Sequence, residues 1–292
     1  MIDGIIQKGI GGFYYVQTAD EVYECKARGK FRKDKITPLV GDKVKISIDP
    51  ASNLGLIEEI LPRETELIRP PVANVNQAVI VFAIKQPEPN LFLLDKMLAV
   101  IEKEGLDIII CINKIDLDEE HEAAQIKSIY ELAGYPVIYT STKIPIGLEE
   151  LKHRLEGKIT VFAGPSGVGK SSLLNAIQPG LRLQTGKVSE KTKRGRHTTR
   201  HVELLKLDIG GWILDTPGFS ALELECIEEE EVSYLFKEFS PFIEGCKFNS
   251  CKHIHEPDCA IKKCVMEGKI HPHRYESYIQ FMEEVREKKG RY

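Results

Sequence analysis

The stretch Gly164-Pro165-Ser166-Gly167-Val168-Gly169-Lys170-Ser171 limits what this chain can fold into more than any other part of it. It fits the pattern G-x-x-x-x-G-K-[ST], directly after the apolar run Ile159-Thr160-Val161-Phe162-Ala163 and before the helix-forming run Ser172-Leu173-Leu174-Asn175-Ala176. Glycines let successive backbone N–H groups turn toward one anion, and the following helix adds the positive end of its dipole. Strand, loop and helix in that order imply a parallel α/β sheet with a phosphate-binding loop at the carboxyl end of one strand. There Lys170 is placed to reach the outer phosphates of a nucleotide and the Ser171 hydroxyl to ligate Mg²⁺, with Ser172 beside them in the first helical turn.

The flanking sequence agrees with that sheet. From Gln77 onward, apolar strands alternate with helical stretches, and strands are expected over Ala78 to Ile84, Asp107 to Ile112, Pro136 to Thr140, Thr160 to Ala163, His201 to Leu207 and Trp212 to Leu214. Upstream, Gly12 to Val16, Val22 to Lys26 and Lys43 to Ile48 alternate with period two between turns, which predicts a small antiparallel all-β barrel. Leu61 to Val72 contains Pro62, Pro70 and Pro71 and reads as a linker. After residue 222 the chain is acidic over Glu228 to Glu231, then rich in Cys and His, then helical, with Tyr275, Tyr278, Ile279, Met282 and Val285 spaced as a packing stripe. The expected domains are thus 1–68, a barrel; 69–222, the α/β domain; and 223–292, a helical domain.

Asn113-Lys114-Ile115-Asp116 follows the apolar strand ending at Ile112, at the edge of the sheet where α/β folds bind ligands. A carboxylate there accepts two N–H bonds from guanine, from N1 and the exocyclic amine, a donor pair that adenine lacks. A site built on that pair rejects the wrong base by about 10⁴–10⁵. Ser141-Thr142-Lys143, at the next strand end, resembles the S-A-K element that supports the base. Asp215-Thr216-Pro217-Gly218 resembles the D-x-x-G element, in which Asp215 holds Mg²⁺ through water and the Gly218 N–H faces the γ-phosphate. Thr198 and Thr199 resemble the switch threonine that completes the magnesium shell, and either could supply the hydroxyl. Together these elements imply a protein that binds GTP and GDP.

Their order is unusual. Small GTPases run from phosphate loop to switch threonine, D-x-x-G, N-K-x-D and S-A-K, whereas this chain starts with Asn113 and Ser141 and only then reaches Gly164, Thr198 and Asp215. Cutting an exposed loop and joining nearby termini can leave a packed sheet intact. The segment that senses the γ-phosphate then leads within a few residues into the Cys/His-rich part, poised to reposition it by an order–disorder switch.

That part contains Cys246-x₄-Cys251-x-His253-x₅-Cys259, three thiols and an imidazole, the donor set of a closed tetrahedral zinc site. His255 and Cys264 are near enough to be rival ligands. Seven cysteines are an odd number for a disulfide framework, Cys111 reads as core, and Cys25 and Cys226 have no role in the pattern. The net charge of −4 leaves attraction to nucleic acid to local patches. One comprises Lys26, Arg28, Lys30, Arg32, Lys33 and Lys35 near Phe31; the other, Lys187, Lys191, Lys193, Arg194, Arg196 and Arg200 around the switch threonines. No apolar run approaches the roughly 18 residues of a membrane span, and Met1-Ile2-Asp3-Gly4 lacks a basic leader, so a cytoplasmic protein is expected.

The permuted motif order, between a barrel-like start and a C-terminal Cys/His cluster, resembles the bacterial ribosome small-subunit biogenesis GTPases, the RsgA family. The resemblance covers essentially the whole chain. It implies an OB-fold barrel before a circularly permuted GTPase domain, one zinc ion per chain in a helical domain after it, and action on the maturing small ribosomal subunit and its rRNA; separately, a monomer is expected, although the sequence does not report oligomeric state. The order and spacing of Cys246, Cys251, His253 and Cys259 match the family's zinc motif. Phe219 stands where many small GTPases carry a glutamine, and a phenyl ring cannot orient water. His197 matches the family's switch histidine, proposed to position the water instead, with Lys170, Thr198 and Thr199 completing the catalytic set. Two other functions fit the same motifs: an RNA-binding module in which hydrolysis is incidental, and a translation factor acting on mature ribosomes.

Asp116→Asn replaces a charged double acceptor with an amide that offers one acceptor. The variant is expected to lose its preference for guanine nucleotides and to accept xanthine nucleotides. Competitive nucleotide titration checks this, and unchanged GTP affinity with continued rejection of xanthosine triphosphate would refute the assignment.

Overall fold

Gly11 and Gly12, at φ of +60° and +85°, form the two-residue turn between β1 (Ile2–Ile10) and β2 (Phe13–Gln17). Both central residues of such a turn need positive φ, which glycine supplies without strain. β2 pairs with β3 (Val22–Ala27), a short helix α1 (Gly29–Lys33) follows, and β4 (Lys43–Ile48) and β5 (Gly55–Ile60) complete the set. β1 pairs antiparallel with both β2 and β4, β4 with β5, and β5 runs parallel to β3, so the five strands close into a barrel. That is the expected OB-fold, filled by Ile6, Val16, Cys25, Phe31, Val44, Ile46 and Ile57. Two strands escaped the sequence reading. β1 carries Gly4 and Gly9 and a bulge between Ile6 and Lys8, which break its alternation, and β5 pairs across a second bulge at Lys45 and Ile46. Phe31 is 6% exposed, so it belongs to the core, while the six cations around it are exposed.

The computed structural model describes residues 1–68, 70–181, 202–215 and 227–289. His197, Thr198, Thr199, the second basic cluster, Gly218, Phe219 and Cys226 therefore lie outside the described residues, as does the first residue of the strand expected from His201.

The segment read as a linker is tied to the barrel. Arg63 donates to the fully buried Asp42 through Nε (2.7 Å) and Nη2 (2.9 Å) and to Glu66 through Nη1 (2.7 Å). Asn74, also buried, accepts the Glu64 N–H and donates to the Gly41 carbonyl, and β6 (Glu66–Leu67) and β7 (Val72–Ala73) form a small ribbon. Prolines shortened the strands here without freeing the chain.

The remaining elements alternate. They are β8 (Gln77–Ala83), α2 (Leu91–Lys103), β9 (Asp107–Asn113), α3 (Glu122–Leu132), β10 (Val137–Tyr139), α4 (Leu148–Leu155), β11 (Ile159–Ala163), α5 (Lys170–Ile177), β12 (Glu203–Lys206) and β13 (Trp212–Asp215). Every residue of β8 and of β11 is buried, as in parallel strands covered on both faces. Contacts divide the chain into two units: residues 1–77, 152–162 and 178–219, and residues 78–151, 163–177 and 220–292. In the first, β11 pairs parallel with β13, β13 antiparallel with β12, and β12 meets β1 at Lys8 and Glu203. In the second, β9 lies between β8 and its parallel partner β10.

The second unit also contains α6 (Ser240–Ile243), α7 (Ala260–Met266) and α8 (Pro272–Lys289). Tyr278, Met282 and Val285 of the expected stripe are buried, and Tyr275 and Ile279 pack beside them. Their core includes Ala99 and Val100 of α2, so this helix and the C-terminal helices share one hydrophobic cluster. Arg274, 1% exposed, crosses between them: Nη1 donates to Asp95 Oδ1 on α2 (2.6 Å), while Nε and Nη2 grip Glu238 (2.6 and 3.0 Å). Phe236 lies under the guanidinium at 4.6 Å from its ring centroid. Among the described residues no helix is long and apolar enough to cross a membrane.

Candidate functional site

The phosphate loop occupies the turn from β11 to α5, and three of its glycines have positive φ: Gly164 (+136°), Gly167 (+83°) and Gly169 (+97°). A Cβ on Gly164 would lie 2.0 Å from the Val81 carbonyl oxygen, and one on Gly169 2.5 Å from the Asn113 side-chain nitrogen. Close approach as well as backbone shape demands glycine at both positions. Pro165, Ser166 and Val168 fill the positions between, Val168 buried and Ser166 exposed. Ser171 and Ser172 sit in the first turn of α5. Lys170 folds back over the loop and donates to the carbonyls of Gly164 (2.6 Å) and Pro165 (2.8 Å). Burial lowers its pKa, because a desolvated ammonium gives up its proton more readily.

The N-K-x-D residues extend from the end of β9 toward that loop. Asn113, buried, donates through Nδ2 to the Val168 carbonyl at 2.8 Å. Its Oδ1 accepts from Thr140 Oγ1 at 3.0 Å, which fixes which way the amide faces. Thr140 went unnoticed in the sequence, where its one signal was its place at a strand end just before Ser141. Lys114, in the left-handed region at φ +59°, donates to the Gly167 carbonyl at 2.8 Å and to the Gln86 carbonyl. Asp116 accepts from Ser141 Oγ at 2.6 Å and lies 3.3 Å from Lys143 Nζ. Burial would raise the Asp116 pKa, but the Ser141 hydroxyl and the Lys143 ammonium outweigh it and hold the carboxyl below its usual range. Ser141, fully buried, also accepts the backbone N–H groups of Lys143 and Ile144, while Thr142 and Lys143 are exposed. The sheet therefore brings a carboxylate held below its usual pKa range to the strand end from which Asn113 and Lys114 hold the glycine-rich loop. Asp215 ends β13, paired with Glu203.

Cys246, Cys251, His253 and Cys259 form a second site, with their ligand atoms all within 4.8 Å of one another. His253 Nδ1 lies 3.5 Å from Cys246 Sγ and 3.4 Å from Cys259 Sγ, and those two sulfurs are 3.9 Å apart. A tetrahedron with Zn–S of about 2.3 Å and Zn–N of about 2.05 Å has S···N and S···S edges of about 3.6 and 3.8 Å. The three edges among Cys246, His253 and Cys259 thus match that ion closely, and Cys251 Sγ lies within 4.8 Å of the other three ligand atoms. Burial, with the neighbouring thiols adding to it, pushes Cys251 up to about 12, a repulsion that a dication would relieve. His255 is exposed, and neither it nor Cys264 belongs to the group.

Known proteins are similar to this chain along most of its length. The family model described as RsgA GTPase matches residues 60–225, and that described as RsgA N-terminal domain matches residues 3–57. The small ribosomal subunit biogenesis GTPase RsgA of Alkaliphilus metalliredigens is 52% identical over 287 residues, covering 98% of both chains. The crystal structure of YjeQ from Thermotoga maritima superposes with a TM-score of 0.84 at 40% identity, over 97% of this chain and 98% of that one. A structure of YloQ, described as a circularly permuted GTPase, gives 0.83 at 42% identity, over 99% and 96%.

Gly169→Ala sets a methyl group against the Asn113 amide in a backbone conformation that costs about 1–3 kcal/mol outside glycine. Guanine-nucleotide affinity is expected to fall roughly tenfold to hundredfold in equilibrium titration. Gly180→Ala, where an added Cβ meets nothing, is expected to leave it unchanged.

Proposed function

The chain belongs to the RsgA GTPase family and is a GTP hydrolase of small-ribosomal-subunit maturation, and we propose that it binds the subunit through rRNA and is switched on by that contact. The reading rests chiefly on the pairing of Asp116 with Ser141 beside the Asn113–Val168 bond, a guanine-selecting carboxylate held next to a phosphate loop. In this reading the domains are 1–68, 69–222 and 223–292, the protein is a cytoplasmic monomer, and the exposed cations Lys26, Arg28, Lys30, Arg32, Lys33 and Lys35 face rRNA phosphates.

Asp116, Ser141 and Lys143 hold the base, the amides of residues 164–169 the phosphates, and Lys170 turns from its loop carbonyls to the β- and γ-phosphates. Ser171, Asp215 through water, and Thr198 or Thr199 hold Mg²⁺, which neutralises charge that develops between the phosphates. Phe219 cannot position water, so intrinsic turnover is slow, of the order of 10⁻⁴–10⁻² s⁻¹. Phosphates of the rRNA neutralise the second basic cluster, and His197 positions the attacking water in place of the missing glutamine.

Small subunits are expected to raise phosphate release well above the intrinsic rate, with a stimulation that falls as salt rises, because each neutralised phosphate releases counterions. His197→Ala should keep nucleotide and subunit binding and lose most of the stimulated rate, the mark of an interaction made only in the transition state. Equal stimulation of variant and wild type would rule the histidine out. Sedimentation with precursor and mature subunits separates an assembly role from a translational one.

Cys246, Cys251, His253 and Cys259 hold one structural zinc per chain, which when bound closes the knuckle they form. Structural zinc contributes about 10–16 kcal/mol in small metal-folded units. Strong chelation is therefore expected to abolish structure in the C-terminal helices, and Cys259→Ser to weaken metal binding more than Cys264→Ser. Unchanged circular dichroism and melting after metal removal would overturn that role.

A further inference from the structure

The phosphate loop and the Cys/His cluster are joined by an unbroken series of contacts through two helices. At one end, Lys114 Nζ donates both to the Gly167 carbonyl of the phosphate loop and to the Gln86 carbonyl of the segment leading into α2. Asn90 then caps α2, its Oδ1 accepting the Leu93 N–H at 2.9 Å. One turn further on, Asp95 is 1% exposed and receives Arg274 Nη1 at 2.6 Å, with His273 Nε2 3.3 Å from its other oxygen. Arg274 belongs to α8, and so do the residues that hold the metal knuckle. The Tyr275 hydroxyl donates to the His253 carbonyl at 2.6 Å and the Tyr278 hydroxyl to the Lys252 carbonyl at 2.8 Å. One helix therefore fixes the backbone of a metal ligand and, at the adjoining residue, a buried charge that seats α2.

We propose that Arg274, locked on Asp95, links α8 to α2, so that metal binding at Cys246, Cys251, His253 and Cys259 and nucleotide binding at the phosphate loop strengthen each other. The proposal rests on the metal-site reading above. Without metal, the Lys252–His253 backbone loses its fixed shape, and the two tyrosine hydroxyls lose defined acceptors. α8 then holds Asp95 less firmly, and the Gln86 carbonyl that shares Lys114 with Gly167 is no longer fixed. A nucleotide must in that case order the loop, α2 and α8 together, which costs affinity. Coupling of this kind is reciprocal: whatever factor metal adds to nucleotide affinity, nucleotide adds to metal affinity. Arg274 acts here as a positioning residue, since it touches neither ligand.

The test uses the full chain, with metal content measured first. Dissociation constants for a fluorescent GDP analogue are determined on the metal-loaded and chelator-treated protein, and zinc affinity is determined with and without saturating GDP. Metal removal is expected to weaken GDP binding about 5- to 150-fold, and GDP to tighten zinc by the same factor. Asp95→Asn leaves Arg274 paired with Glu238 and should bind both ligands while the coupling factor collapses toward one. Lys103→Met, which breaks an exposed pair with Glu231 near the far end of α2, should keep the full factor. Should Asp95→Asn fail to fold, Tyr275→Phe removes only the hydroxyl on the His253 carbonyl and is expected to reduce the factor likewise. A purely structural role for these residues would lower melting temperature and leave the factor unchanged, which overturns the proposal. So does a factor of one in the wild type with metal present, whereas a protein that takes up no metal overturns the metal-site reading together with the coupling.

Discussion

A glycine-rich loop pressed against neighbouring strands has no space for side chains where it meets them, and the residues around positions 164–169 are arranged around that constraint. Gly164 is pressed against the backbone of Val81 and Gly169 against the Asn113 amide, so the loop is wedged between β8 and the end of β9. Asn113 holds Val168 while Thr140, just past the end of β10, fixes the orientation of its amide. Asp116 and Ser141 are thereby positioned by the same strands that confine the glycine-rich loop. A site made of strand ends depends on which strands lie side by side and not on the order in which the chain visits them. That is why the permuted order leaves its geometry coherent.

The C-terminal helices are joined to this arrangement by charge as well as by apolar area. Arg274 is buried with two carboxylates, an arrangement whose desolvation cost can exceed its Coulombic gain. Its contribution lies in register: the fork matches Glu238 with two bonds and Asp95 with a third, and no sliding of α8 along α2 preserves all three. Removing Arg274 alone would leave the buried carboxylates of Asp95 and Glu238 uncompensated, at about 3–5 kcal/mol. The shared apolar cluster around Ala99, Val100, Phe236 and Tyr278 supplies non-directional attraction, which the ion pair then restricts to one geometry.

What could be read in the sequence was what is local. The phosphate loop, Asn113 to Asp116 and Ser141 to Lys143 announce themselves because each motif lies within a few residues at a strand end, and the Cys/His spacing within fourteen residues did the same. β1 and β5 were missed because bulges and glycines break the period-two signal. The segment after Leu61 looked free because prolines are visible in a sequence, whereas the pairing of Arg63 with Asp42, 21 residues earlier, is not. Arg274 and Asp95 are 179 residues apart, and no periodicity in α8 marks one arginine as buried. Phe31 looked like a companion to the basic patch because burial inside a barrel leaves no trace in a short charged run.

The shared cluster also gives the protein a history during its own synthesis. α2 ends at Lys103, but the helices that cover Ala99 and Val100 begin only after Ile227. At roughly 5–20 residues per second, translation leaves that face without its cover for roughly ten seconds after the helix has emerged. During that interval the apolar face of α2 and the carboxylate of Asp95 lack the residues that cover and pair them in the finished fold. The charge that fixes the register of α8 thus becomes buried only when Arg274, 179 residues further along, has been made.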